Sequence, residues 1–344
     1  MTRLQASGLR CGIITNDQGR GLVDTVLAQQ RVAKVAEVAG GCFCCRLDEL
    51  VSAVSVLSAE ERPDVFLAEP VGSCTDLMAT VLLPLGRIYE LPLRTAPLSV
   101  VIDGRRAYET LVSRGRVRGF SKDVTYIYRK QLEEAEVLVI NKIDLLSEVQ
   151  LAKLAEKLAK DFPGREIFPI SAHTGVGMDE WMQWIHGHSS EPEEIMDVDY
   201  QRYGEGEALL GWLNATVQIG TSKKGVDGVS VLYGLGHTIT EELERRTANI
   251  AHFKMILQDG RGNSMRVQVT RDGEKPILAG TLDGLVRNGT LLINLRAEAG
   301  PEELAAAVEA GLSATLAEVE HEVTEMKYFK PGQPKPTHRI AAVA

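Results

Sequence analysis

Long hydrophobic runs are missing from this 344-residue chain. None approaches the roughly 18 consecutive apolar residues that a membrane-spanning helix needs, so no such span is expected. Positive charge is also in deficit. Lys plus Arg number 38 against 47 Asp plus Glu, a net of −9, which excludes a general nucleic-acid binder because nothing broad would neutralise phosphates. The opening MTRLQASGLRCGII lacks an apolar core followed by a small-residue cleavage site, so no secretory signal is expected and the cytoplasm is the expected compartment. Cysteine is too sparse for a disulfide scaffold, at 5 residues in this length. Internal repeats and low-complexity tracts are absent too. What remains, 44% hydrophobic and 25% charged residues, is an ordinary globular composition long enough for two or three domains with their own cores.

Up to about residue 186, short apolar runs alternate with helical stretches. Candidate strands are Cys11–Asn16, Asp64–Glu69, Leu98–Asp103, Val137–Asn141 and Ile167–Ser171, rich in Val, Ile and Leu with little polar alternation. That is the pattern of strands buried on both faces. Ser121–Ala135, Glu148–Asp161 and Met178–Ile185 read as helices between them, so residues 1–186 are expected to form an α/β domain around a mostly parallel sheet. Residues 187–206, polar and acidic, read as a linker. Residues 207–326 read as a smaller α+β domain, a helix-on-sheet sandwich of ferredoxin-like type. Its candidate strands are Leu210–Gly220, Lys254–Gln258, Met265–Thr270 and Leu291–Leu295, with helices at Ile239–Arg246 and Pro301–Glu320. Residues 327–344, ending Pro-rich, read as an extended tail.

Four features carry chemistry. Asn141-Lys142-Ile143-Asp144 directly follows the apolar run VLVI, and a loop at the carboxyl end of a parallel strand faces the ligand crevice. There a carboxylate can accept both edge N–H groups of guanine, the amide can meet its O6/N7 edge, and the Lys stem can lie along the base. The ordinary alternative is a strand-to-helix turn with Asp144 as N-cap. Ser171-Ala172, ending the next strand, supplies a second place where small residues touch a guanine, and the pair favours a guanine pocket. Second, Cys42, Cys44 and Cys45 fall within four positions after Gly40-Gly41. Thiolates suit zinc, copper(I) and, with nitrogen or oxygen partners, cobalt or nickel, with Glu37, Cys74 and solvent as candidate fourth ligands and a cluster of buried thiols as the alternative. Third, Glu69-Pro70-Val71-Gly72 closes an apolar strand; such a carboxylate can reach a magnesium water and such a glycine N–H can sense a γ-phosphate. Fourth, Asp17 in Thr15-Asn16-Asp17-Gln18-Gly19 could meet magnesium or simply shape a turn.

In this order, TNDQG, EVAGGCFCC, EPVG, NKID and SA resemble the CobW-type family of P-loop GTPases, relatives of the urease and hydrogenase nickel-insertion GTPases. The resemblance implies a P-loop-NTPase-like fold over residues 1–186. It also implies Cys42, Cys44 and Cys45 as metal ligands with Glu37 nearby, and Glu69 and Gly72 in the second switch, where GTP hydrolysis would be controlled together with Asp17. Asn141, Lys142, Asp144, Ser171 and Ala172 would read guanine. It further implies GTP, Mg2+ and either Zn2+ or Co2+ as ligands, a client metalloprotein as partner, and a homodimer as a candidate assembly. One motif is absent: nowhere does the sequence contain Gly-x-x-x-x-Gly-Lys-Ser/Thr, the loop that cradles phosphates. In the family it precedes the strand at Cys11–Asn16, so the sheet is expected to lack its first strand and to carry an unpaired groove beside the Glu69 strand. Either Met1 is an internal methionine of a longer protein, which is the expectation, or the chain is a relative that no longer grips phosphate. In the second case it would be a metal-binding or adaptor protein without nucleotide chemistry.

Five of the seven histidines, His173, His186, His188, His237 and His252, read as surface or structural. Trp181 and Trp184 read as core contacts, Leu304, Val308, Leu312 and Leu316 as a packing stripe, and Lys122, Arg129 and Lys130 as a solvated helix face.

Overall fold

A computed structural model describes residues 1–19, 22–30, 35–60, 62–113, 119–190, 195–220, 225–269 and 276–341. In chain order the elements are α1 (Thr2–Ala6), β1 (Cys11–Asp17), α2 (Val23–Gln29), β2 (Val35–Ala39), α3 (Leu47–Glu60) and β3 (Val65–Glu69). A π-helical turn at Met78–Leu82 runs into α4 (Leu83–Arg87), followed by β4 (Ser99–Asp103), α5 (Gly104–Leu111), α6 (Lys122–Glu134), β5 (Val137–Asn141), α7 (Glu148–Asp161), β6 (Glu166–Pro169), α8 (Met178–Gly187) and α9 (Tyr200–Leu209). The last third holds β7 (Gly211–Ile219), α10 (Gly228–Arg245), β8 (Asn249–Asp259), β9 (Ser264–Val269), β10 (Ile277–Thr281), β11 (Gly289–Glu298), α11 (Pro301–Thr315) and β12 (His321–Phe329).

The elements gather into two compact units that do not follow linear order: residues 1–72 with 204–334, and residues 73–203 with 335–344. This differs from the division at 186 and 207 expected from composition. The reason lies in strand pairing. The parallel strands form two separate three-stranded sheets, β2-β1-β3 and β4-β5-β6, so β3 pairs only with β1 and β4 only with β5 among the described residues.

In the first unit, β2, β1 and β3 run parallel, with Thr15 level with Glu37 on one side and Glu69 on the other. The second sheet of this unit is antiparallel, in the order β10-β9-β8-β11-β7-β12. Its β7-α10-β8 and β11-α11-β12 halves give the expected ferredoxin-like pattern, extended by β9 and β10. One face buries Leu213, Val217, Phe253, Met255, Leu291 and Ile293 among residues of α10 and α11. Those helices approach closely: a Cβ on Gly311 would lie 2.7 Å from Ile239, which explains a glycine inside a helix. Ile256 and Leu292 cluster instead with Val23 of α2.

The second unit packs α5 and α7 with β4 and β5 around Leu132, Leu138, Ile140, Leu154 and Leu158. Helix starts are fixed by side chains. Ser147 and Gln150 form a reciprocal capping box at α7, and Asp103 accepts from the N–H groups of Arg105 and Arg106 at α5. Glu134, at the end of α6, accepts from the backbone N–H of Met78 at 2.6 Å. Burial pushes its carboxyl up to about 7, against the pull of the Met78 and Leu77 N–H groups. The expected extended tail is ordered in two ways. Its first residues complete β12, and Arg339 returns to the buried Asp76 carboxylate, Nε to Oδ2 at 2.7 Å, while the Ile340 N–H donates to Ala79. The expected linker is shorter than its composition suggests, since α9 begins at Tyr200; residues 191–194 of it, the last three of the tail and Thr270 lie outside the described residues.

Candidate functional site

The parallel strands of the first unit carry their chemistry at their carboxyl ends. Asn16 of β1 is 8% exposed and every hydrogen-bonding group of its amide is engaged. Nδ2 donates to the carbonyls of Val38 (2.8 Å) and Gly41 (2.7 Å). Oδ1 accepts from the N–H of Phe43 (2.9 Å) and of Val71 (3.3 Å). One side chain therefore holds the Gly41–Cys45 turn and the Glu69–Gly72 loop together. The turn is closed by Cys45 N–H to Cys42 carbonyl at 3.0 Å and leads directly into α3.

On it the three cysteines converge. Their sulfurs are separated by 2.9 Å (Cys42–Cys44), 3.2 Å (Cys42–Cys45) and 3.7 Å (Cys44–Cys45), with Cys42 and Cys44 buried and Cys45 half-buried. An ion bonded tetrahedrally at about 2.3 Å to each sulfur would hold them about 3.8 Å apart. The Cys44–Cys45 pair already has that spacing, and the other two need to open by less than about 1 Å. The donor set fits a soft or borderline ion. Glu37 does not join the cluster, which comprises only the three thiols. Its carboxylate instead accepts from Thr25 Oγ1 at 2.6 Å, and Thr25 meets Thr15 Oγ1 at 2.8 Å.

Asp17, expected to meet magnesium or shape a turn, does shape one through the Gly19 N–H and is also gripped from far away in sequence. Both its oxygens receive the guanidinium of Arg296 from β11, at 2.8 and 2.7 Å, and the pair is largely buried, with side chains 16% and 8% exposed. Asp17 also accepts from the Gly19 N–H at 2.8 Å. Burial pulls the Arg296 guanidinium down from its ordinary value, and the Asp17 carboxylate opposes that pull. Glu69 ends β3 and Gly72 follows it; a Cβ on Gly72 would meet open space.

The second unit carries the other constellation. Asn141 ends β5, and its Oδ1 accepts from the N–H groups of Lys142 (2.8 Å) and Ala172 (3.0 Å). Lys142 adopts φ +63°, and its ammonium meets Asp103 Oδ2 at 2.7 Å. Burial alone would push Asp103 up, but the Lys142 ammonium and the α5 N–H groups hold its carboxyl below the ordinary value. Ser171 Oγ donates to Asp144 Oδ1 at 2.5 Å while accepting from the Thr174 N–H at 3.1 Å. The structure thus knits 141–144 and 171–172 into one ledge beyond the carboxyl ends of β5 and β6. Gly177 permits the tight return, since a Cβ there would lie 2.1 Å from the Pro169 carbonyl. Trp181 and Trp184 pack on Val137 and Ile170, as expected from their helical spacing, and His188 stacks on Trp184 at 4.1 Å.

Sequence reasoning passes over three residues: Asn16, Asp103 and Arg296. Asn16 and Asp103 are detectable as polar residues ending apolar strands. Arg296, an arginine inside a β-rich run, gives no sign of its distant partner.

The model of the CobW/HypB/UreG nucleotide-binding domain matches residues 1–169. Residues 1–169 belong to the CobW/HypB/UreG family. A 72-residue stretch is 39% identical to GTPase Era of Geobacter sp. (strain M21), covering 20% of this chain and 24% of that relative. The chain thus spans about a quarter of the length of the curated relative it matches. Among solved structures, Zn(II)-bound YjiA GTPase from E. coli is 12% identical at a TM-score of 0.35, over 88% of this chain and 98% of that one. A Zn(II)-bound triple mutant of YjiA GTPase gives 13% and 0.36 over 88% and 90%. Hydrogenase maturation factor HypB from Archaeoglobus fulgidus is 18% identical at 0.35, over 54% and 78%. The CobW/HypB/UreG segment spans the sulfur turn and the Asn141–Asp144 loop, whereas Ser171, Ala172 and Arg296 lie beyond it.

Proposed function

We propose that this protein is a GTP-dependent metal chaperone, taking up a zinc or cobalt ion as cargo through Cys42, Cys44 and Cys45 and delivering it to a client metalloprotein. The observation that carries the reading is the convergence of three sulfurs within 4.8 Å of one another on a turn that Asn16 ties to the Glu69–Gly72 loop. Family membership supports nucleotide binding. Asn141 and Asp144 would hold the guanine edge, oriented by Ala172 and Ser171, with the Lys142 stem along the base. Glu69 and Gly72 would sense magnesium and the γ-phosphate, and through Asn16 a change there would reach the sulfur turn. Mg2+ would supply charge neutralisation for the phosphates. The cytoplasm is the expected compartment, and no helix among the described residues is long and apolar enough to cross a membrane.

A second reading, a metal-binding or adaptor protein without nucleotide chemistry, is favoured by one observation: Asp17 is committed to Arg296, in a sequence without the Gly-Lys phosphate loop. Titration separates the two. Zinc or cobalt should bind at about one ion per chain, and Cys44→Ser with Cys45→Ser should abolish uptake; unchanged stoichiometry would remove the ligand assignment. GTP is expected to bind weakly to these 344 residues, because base contacts alone must offset the ordering cost. Asp144→Asn should move whatever preference exists from guanine toward xanthine nucleotides, by about 1–3 kcal/mol of discrimination for a bidentate contact. Metal uptake indifferent to guanine nucleotide at a concentration shown to saturate the chain, or no guanine-nucleotide binding at all, would select the second reading.

A further inference from the structure

The end of β1 and the start of α2 rest on the antiparallel sheet of the same unit, on the face that carries Ile256 and Leu292. Three polar contacts fasten them there. Arg296 of β11 grips Asp17 with both oxygens engaged. Lys254 of β8 meets both Asp24 oxygens at 2.8 and 2.7 Å. Asn294 of β11 accepts from the Val23 N–H at 2.8 Å, closing the start of α2. The approach is close, since a Cβ on Gly19 would lie 2.0 Å from the Asn214 amide.

Arg296 is itself rigidly seated. Nη1 donates to the carbonyls of Leu213 (3.0 Å) and Leu295 (2.9 Å) and to Asn214 Oδ1 (2.9 Å). Its guanidinium lies 3.9 Å over the Trp212 ring centroid. A planar guanidinium held on four sides, with Nη2 reaching both Asp17 oxygens, fixes that carboxylate in position as well as charge. Asp17 is the neighbour in sequence of Asn16, and its carbonyl accepts from the Gly40 N–H at 3.1 Å. The chain of contacts therefore runs from the sheet through Arg296 and Asp17 to Asn16, and from Asn16 to the backbone on which the thiols sit.

We propose that Arg296 is a positioning residue for the sulfur turn: by holding Asp17 it sets how tightly Cys42, Cys44 and Cys45 grip an ion, so that the C-terminal sheet governs metal affinity. This rests on the assignment of those thiols as ligands, and the experiment keeps the two apart. Residues behind a first set of ligands typically change metal affinity 10–100-fold, and Arg296 acts one step further back, so roughly a 2- to 30-fold loss is expected for Arg296→Gln.

Cobalt(II) titration of the full chain reads both affinity and the thiolate-to-cobalt absorption band, which counts bound sulfurs and which a general loss of stability would not redistribute. Arg296→Gln and Asp17→Asn should each weaken binding and diminish that band per bound ion, while Arg296→Lys, which keeps the charge without the fork, should recover part of the loss. Alkylation of Cys45 by iodoacetamide, followed by mass spectrometry without metal, should quicken in both weakened variants. A folded Arg296→Gln with cobalt affinity within twofold of the parent and unchanged Cys45 alkylation overturns the proposal. Should the parent itself bind no cobalt, the ligand assignment fails, and the alkylation rates alone decide whether the sheet positions the turn. If Arg296→Gln does not fold, Asp17→Asn tests the same link from the other side and decides by the same two readouts.

Discussion

Asn16 engages its four hydrogen-bonding sites on two loops at once, which is the full capacity of a side-chain amide. Replacing it by alanine leaves the buried N–H groups of Phe43 and Val71 unanswered, at about 1–3 kcal/mol for each such group. Asn16→Ala is therefore expected to lose roughly 2–5 kcal/mol of stability in urea unfolding and about 10- to 100-fold in zinc or cobalt affinity. Asn16→Asp should be worse, because an acceptor would then face the Val38 and Gly41 carbonyls. A loss of affinity no larger than that of a distant surface variant would show that the amide only shapes the loop. The cysteine trio is visible from spacing alone, whereas Asn16 shows only as a polar residue near the end of an apolar strand. Its role depends on two loops, around residues 41 and 71, whose meeting is set by strand order and leaves no local mark.

Glu134 shows how an element can be started by a residue far away in sequence, at the π-helical turn beginning at Met78. Its carboxyl is raised to about 7 by burial, so the folded chain keeps the proton that the unfolded chain releases near its ordinary value. The stabilisation is complete below about pH 4.5 and disappears as pH climbs through about 7, a swing of roughly 3 kcal/mol. Glu134→Gln should flatten the stability-versus-pH curve of its unit across that window, and a curve as steep as the parent's would count against this. Other elements show what sequence pattern can and cannot deliver. Strands β1, β3, β4, β5, β7 and β11 are legible as apolar runs, and α7 matches its expected span residue for residue. The proximity of the 141–144 and 171–172 loops is legible too, because both follow neighbouring strands. Strand β12 escapes such reading because His-Glu-Val-Thr-Glu-Met-Lys lies mostly exposed on a sheet edge, where polar residues replace the apolar signature. Helix α10 starts at Gly228 instead of the expected Ile239, since Gly234, Gly236 and several β-branched residues depress helical propensity there. Packing against α11 outweighs that deficit.

At the scale of the molecule, the thiol turn belongs to one compact unit and the Asn141–Asp144 ledge to the other. Multi-unit chains commonly depart from all-or-none unfolding, and a ligand stabilises only the part it binds. Calorimetry should therefore resolve two transitions. Zinc or cobalt at a hundredfold excess over its dissociation constant should raise one of them, by about 2.7 kcal/mol of stabilisation. Guanosine, which offers only its base to the Asn141–Asp144 ledge and no phosphate to Glu69 or Gly72, should act on the other. A single transition lifted equally by both would show the units to be thermodynamically fused. The discontinuous make-up of the first unit also fixes an order of events during synthesis. Residues 1–72 emerge from the ribosome early but find their companion strands only when residues 204–334 have followed, while most of the other unit is already complete. The sulfur turn is thus made at least 131 residues (73–203) ahead of the first companion strand of its own unit, and its housing is completed only after the other unit's main segment exists.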